Sequence, residues 1–145
     1  MKIAIASDHA GFELKDSIKS LIKELGHEYE DFGPDSIVSV DYADYAFPAA
    51  EKVADGTFDR GILICGTGIG MSISANKVKG IRCALVHDLF TAKVTREHND
   101  SNMLAMGERV VGPGVALEIV RVWLTTEFEG GRHANRIGKI SNYEC

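Results

Sequence analysis

Residues 61–77 read GILICGTGIGMSISANK, and the character of the chain changes in the middle of that stretch. Ile62-Leu63-Ile64 is a short apolar run rich in β-branched residues, which predicts a buried strand from Gly61 to Cys65. Helical spacing takes over from Ile69 to Lys77, and Gly66-Thr67-Gly68-Ile69-Gly70 joins the two. A strand that passes through a glycine loop into a helix is the unit of a parallel sheet, where ligands bind beyond the carboxyl ends of the strands. Cys65 stands at such an end. Its thiol is a candidate acid/base or nucleophile, beside a loop whose free N–H groups suit an oxyanion or a phosphate.

The same alternation extends outward in both directions. Lys2 to Ala6 reads as the first strand, and Leu14, Ile18, Leu21, Ile22 and Leu25 then recur at helical spacing until Gly26 offers a stop. A more exposed strand follows near Glu28 to Phe32, then a Gly33-Pro34-Asp35 loop. A helix from about Asp41 to Ala54 must start late or kink at Pro48. Downstream, Ile81 to Val86 and Met103 to Met106 read as strands, Leu89 to Glu97 and Pro113 to Thr126 as helices. Gly130-Gly131 closes the last helix, and Arg132-His133-Ala134-Asn135-Arg136 reads as a short basic tail. Alternating strands and helices predict an α/β domain with a parallel sheet covered on both faces.

The chain has 145 residues, 45% of them apolar and 26% charged, which suits a single domain spanning residues 1–145. A formal charge of −5 without a dense Lys/Arg block excludes a nucleic-acid surface, which needs clustered positive charge. The opening MKIAIASDHAG is too short an apolar run for a signal-peptide core, and no stretch is apolar enough to span a membrane. The expected location is the cytoplasm. Cys65, Cys83 and Cys145 are too widely spaced for a disulfide framework or a zinc pattern and read as reduced thiols.

The residues after the predicted strands are unusually polar: Ser7, Asp8 and His9 after the first, Cys65 and its loop after the third, His87 and Asp88 after the fourth. Glu97-His98-Asn99-Asp100-Ser101-Asn102 precedes the last strand and so belongs at the opposite edge of the sheet. His98 would join the site by reaching into a neighbouring subunit.

SDHAGFELK at residues 7–15, ICGTGIGMSISANK at 64–77, EHNDSNMLAMGERVVG at 97–112 and the arginine-bearing tail together resemble the type B ribose-5-phosphate isomerases of the RpiB/LacAB sugar-phosphate isomerase family. The resemblance covers essentially the whole chain. It implies a three-layer α/β/α, Rossmann-like fold with a five-stranded parallel sheet, a homodimer with shared active sites that could pair into a tetramer, and aldose–ketose isomerisation without metal or other cofactor. The implied substrate is ribose 5-phosphate, exchanged with ribulose 5-phosphate through a cis-enediolate. Relatives that act on allose 6-phosphate or galactose 6-phosphate keep hexoses open.

On that resemblance Cys65 is the base that moves a proton between C1 and C2, a task for the thiolate, which a helix N-terminus favours. Thr67 and the backbone of Gly66, Gly68, Ile69 and Gly70 would hold the enediolate oxygen. His98 would open the sugar ring with Asp8 as its partner across the substrate, and Asn99 would bind sugar hydroxyls. His9, Arg109, Arg132 and Arg136 fall on phosphate-contacting positions, where a guanidinium fork matches phosphate geometry. The resemblance further implies that His98, Asn99 and Arg109 come from the partner subunit, leaving monomers nearly inactive.

Simpler roles exist for single residues: an N-cap for Asp8, a small buried hydrophobe for Cys83, solvated surface for His27, His87 and His133. A non-catalytic phosphosugar-binding module would need the arginines and glycines but not Cys65, Asp8 and His98. A cysteine-nucleophile phosphatase would carry an arginine six residues after its cysteine, where this chain has Met71. The loop is neither a P-loop nor a G-x-G-x-x-G fingerprint.

Overall fold

The computed structural model describes residues 1–143, so Cys145 lies outside the described residues. Chain order is β1 (Lys2–Ser7), a 3-10 turn (His9–Gly11), α1 (Phe12–Glu24), β2 (Glu28–Asp31), α2 (Tyr42–Ala54), β3 (Arg60–Cys65), α3 (Ile69–Ala75), β4 (Cys83–Leu85), α4 (Leu89–Asn99), β5 (Met103–Gly107), α5 (Pro113–Thr125) and α6 (Arg132–Ser141). All five strands are parallel, in the spatial order β2-β1-β3-β5-β4. Among the described residues, no helix is long and apolar enough to cross a membrane.

Each central strand splits its side chains between two cores, as the pleat requires. Ile3 and Ile5 of β1 join Ile62 and Ile64 of β3 on the face covered by α1 and α5, where Ile18, Ile22, Val120 and Trp123 meet them. Ala4 and Ala6 face the other way with Leu63 and Ala105, against Ala46, Ala49 and Ala50 of α2 and Met71 of α3. Small side chains on both α2 and the sheet let that helix sit close. Burial on both faces explains the near-continuous apolar runs that made β3 and β5 legible.

Two elements depart from the sequence expectation, and a third keeps its expected span. Helix α2 spans Tyr42–Ala54, close to the expected Asp41 to Ala54, and runs through Pro48 instead of starting late. Pro48 is exposed, so the carbonyl it leaves without a donor can turn to solvent. Strand β4 shrinks to Cys83–Leu85, because it is a sheet edge paired only with β5. The supposed basic tail is helix α6, which packs on α4 with His133 buried. Its scarce apolar residues hid the helical period.

Buried cations, Lys15 and Arg60 among them, tie a loop and a helix end to this frame. Lys15 of α1 is fully buried, and its Nζ donates to Asp31 Oδ1 at 2.9 Å and to the Pro34 carbonyl at 2.7 Å. Burial works against the Asp31 carboxylate, but hydrogen bonds from Lys15, Lys19 and the Gly33 amide overcome it and hold its pKa below the usual range. Arg60, the first residue of β3, donates to the Trp123 and Leu124 carbonyls and so satisfies the carboxyl end of α5.

Candidate active site

Crossing from β2 to β3 reverses the direction of sheet growth, so the switch point lies between β1 and β3. The two strand ends there are in register, Ser7 beside Ile64, and Cys65 is beside Gly107 of β5. Whatever follows Ser7, Cys65 and Gly107 must therefore share one mouth.

Asp8 follows β1 and is held to β3 by its own amide, which donates to the Ile64 carbonyl at 3.1 Å. Its Oδ1 accepts from the amides of Ala10 at 2.8 Å and Gly11 at 3.2 Å. The simple capping role is thus real, yet both bonds fall on Oδ1 and leave Oδ2 as the oxygen for a ligand. His9 accepts from the Val40 amide through Nδ1 at 3.2 Å, which places the proton of the neutral ring on Nε2, a donor.

Cys65 is buried, and its Sγ accepts from the Gly68 amide at 3.0 Å. The Ile69 amide donates to Thr67 Oγ1 at 3.3 Å. Two of the five amides expected to cradle an anion are therefore already engaged inside the loop, one of them by the thiol itself. Cys83, by contrast, is the small buried residue expected of it, and burial pushes its thiol up to about 12.

Arg109 corrects an expectation. Its amide donates to the Gly66 carbonyl at 3.1 Å, and a Cβ placed on Gly66 would lie 3.4 Å from Arg109 Nη1. Arg109 thus flanks the Cys65 loop of its own chain, where the resemblance implied a place in the partner's site. The cause is register: Gly107 pairs with Cys65, so a residue just beyond β5 has to stand beside the residues just beyond β3.

His98 and Asn99 end α4 and precede β5, at the opposite end of the sheet from Cys65. Arg132 and Arg136 lie on α6, which packs on α4, so they belong to that distant end as well. One chain therefore gathers Asp8, His9, Cys65, Gly66, Thr67, Gly68, Ile69, Gly70 and Arg109, and keeps His98, Asn99, Arg132 and Arg136 apart from them.

Two histidines read as solvated surface belong elsewhere. His87 Nε2 accepts from the Gly107 amide at 2.9 Å, and burial lowers its pKa against the opposing pull of Asp88. Its position after β4 was a visible signal, but its partner on β5 was not. His133 is buried, its ring stacked on that of His98 with centroids 4.2 Å apart and planes 12° from parallel. Burial, then the neighbouring His98 and Arg132 charges, lower the His133 pKa.

His98, Glu129 and His133 carry the donor types of a zinc site, with ligand atoms within 4.8 Å of one another. Parallel rings, however, hold their in-plane lone pairs side by side, so the two nitrogens cannot converge on one ion while the stack persists. A cavity of about 760 Å³ lies along the β4 edge, lined among others by Arg82, Cys83, Asn99, Ile140 and Tyr143, and Cys65, Asp8 and His9 are not part of its wall.

A thiol, a carboxylate and an imidazole at the switch point of a five-stranded parallel sheet mark a Rossmann-like α/β domain of the kind that handles small ligands. Residues 3–140 match the family model described as Ribose/Galactose Isomerase, and the chain belongs to that family. It is 71% identical over 145 residues to YwlF of Bacillus subtilis, provisionally named a sugar phosphate isomerase, covering 99% of this chain and 97% of that protein. Ribose-5-phosphate isomerase B of Clostridium thermocellum has the same fold, with a TM-score of 0.97 and 55% identity over 99% of this chain and 97% of that one. Ribose-5-phosphate isomerase B of Mycoplasma genitalium, solved with bound ribulose-5-phosphate, gives a TM-score of 0.95 and 44% identity over 99% of this chain and 95% of that one.

Proposed function

We propose that this protein interconverts D-ribose 5-phosphate and D-ribulose 5-phosphate. The observation that carries the reading is Cys65 Sγ beside the Gly66–Gly70 loop at the switch point, in a chain of the same family and fold as a relative solved with ribulose-5-phosphate.

Ring opening takes the proton from the anomeric hydroxyl, delivers one to the ring oxygen and breaks the C1–O4 bond, leaving an aldehyde. His98 and Asp8, through its Oδ2, carry those two protons. The Cys65 thiolate then removes the C2 proton, and the electron pair forms the C1–C2 double bond as charge moves onto O1. Thr67 and loop amides stabilise that enediolate oxygen, at roughly 3 kcal/mol per well-aimed donor. Cys65 returns the proton to C1 while the O2 proton shifts to O1, giving the ketose. Each bond change is coupled to a proton transfer that side chains and the sugar's own hydroxyls supply.

The phosphate is bound by His9 through Nε2–H and by Arg109, joined by Arg132 and Arg136. Because the His98 and arginine cluster of α4 and α6 cannot reach Cys65 within one chain, the complete site needs two copies, and the working form is a homodimer or a pair of dimers. Cysteines 65 and 83 being free thiols agrees with a reducing cytoplasm. The family description also names galactose, so a hexose 6-phosphate is the second reading, with Asn99 the residue to meet the extra hydroxyl. Measuring kcat/KM for ribose 5-phosphate, allose 6-phosphate and galactose 6-phosphate decides between them. Preference for ribose 5-phosphate supports the reading, and a clear hexose preference overturns it.

A further inference from the structure

We propose that Glu129 and His133 are a positioning pair that fixes the imidazole of His98 for ring opening. The inference rests on the reading of His98 as a ring-opening group. Three contacts converge on this residue. The Glu129 amide donates to the Glu97 carbonyl at 3.1 Å, which pins the segment before α6 to the last turn of α4, next to His98. Glu129 Oε2 then lies 4.0 Å from His98 Nε2 and 3.4 Å from His133 Nε2, facing the same edge of both rings. The buried His133 ring covers one flat face of His98.

The turn that makes this possible is Gly130-Gly131, with φ of +67° and +57°, a conformation that side-chain-bearing residues rarely adopt. It folds Glu129 back onto the first turn of α6, where the His133 amide donates to the Gly130 carbonyl at 3.1 Å. A half-exposed histidine side chain would otherwise sample several rotamers, and ordering it on binding costs free energy. Here the plane is set by stacking and one edge by the carboxylate, while the side chain remains 41% exposed for a ligand. The other charges around the stack are Arg132 and Arg136 of α6. Glu129 and His133 need not touch the sugar; they act through His98.

Ribulose 5-phosphate separates this role from the carbon chemistry. Its O5 is esterified, so it cannot close a furanose ring, and exchange of its C1 hydrogen with D2O requires Cys65 but no ring opening. Glu129→Gln, at an exposed position, and His133→Asn should each lower kcat for ribose 5-phosphate by roughly tenfold or more. Deuterium exchange into ribulose 5-phosphate should stay within about twofold of the unmodified protein, since that step does not use a general acid at the ring. Exchange falling in step with isomerisation, or isomerisation unchanged in both variants, overturns the proposal. His98→Asn is run beside them. If it is impaired and the pair variants are not, the positioning role alone fails; if it too isomerises ribose 5-phosphate normally, the reading of His98 fails and the proposal goes with it.

Discussion

The Gly107 amide donates to Nε2 of His87 at 2.9 Å, binding the carboxyl end of β5 to the segment that leaves β4. Gly107 is also the floor of the Cys65 loop: a Cβ there would stand 2.5 Å from Thr67 Cα, so backbone meets backbone without space for a side chain. A histidine outside the acid/base set thus holds the support on which Thr67 and Gly66 rest.

Replacing His87 with leucine leaves the Gly107 amide without its acceptor. An orphaned buried donor costs about 1–3 kcal/mol. A melting experiment should show Tm lower by roughly 3–10 °C. kcat should fall with it, because the loop loses its floor; an unchanged melting curve would remove His87 from this role.

Acid should weaken the fold through the same residue and through His133. Burial lowers both pKa values below the ordinary 6.5, so the unfolded chain binds more protons than the folded one as the pH falls. Their stabilising contribution is complete above 6.5 and is lost progressively below it, down through the lowered folded values. Urea midpoints taken on either side of 6.5 should be lower on the acid side, and replacing His87 should reduce the difference, leaving the share of His133.

Cys65→Ala removes the proposed base while sparing the phosphate contacts. Its kcat should drop by about 10²–10⁴, the range of general acid–base contributions. Ribulose 5-phosphate should still bind in a calorimeter, and its C1 hydrogen should no longer exchange with D2O. Full turnover in this variant would exclude the thiol as base.

Mixing two impaired proteins tests the division of the site. Cys65→Ala keeps an intact His98 cluster and Arg136→Ala keeps an intact Cys65 loop, so a hybrid dimer holds one unaltered site and one doubly altered site. Unfolding and refolding an equal mixture should restore about a quarter of the original activity, since about half of the dimers are hybrids with one working site of two. Absence of recovery would place Arg136 in the same site as its own Cys65.

Local information made much of this molecule legible. Short apolar runs marked β1, β3 and β5, and the periodic leucines and isoleucines of residues 14–25 marked α1, because a buried strand or a one-sided helix writes its period into neighbouring residues. Cys65 and its loop were visible for the same reason, since strand, turn and helix are consecutive. Four motifs in order then pointed to the family, which the match over residues 3–140 establishes. Helix α6 was hidden by its polar composition, whereas the span of α2 was legible despite a proline that solvent tolerates.

What no local pattern contains is which strand ends become neighbours. Inserting β5 between β3 and β4 places Gly107 beside Cys65, and with it Arg109 beside Gly66 and His87 under Gly107. Stacking of His133 on His98 likewise joins residues 35 positions apart through helix packing. The sequence alone determined the kinds of element and the chemical groups they carry, because those follow from neighbouring residues. Only the tertiary structure decided which groups share one chain's site, because that depends on strand order and register, set by long-range burial and hydrogen bonding.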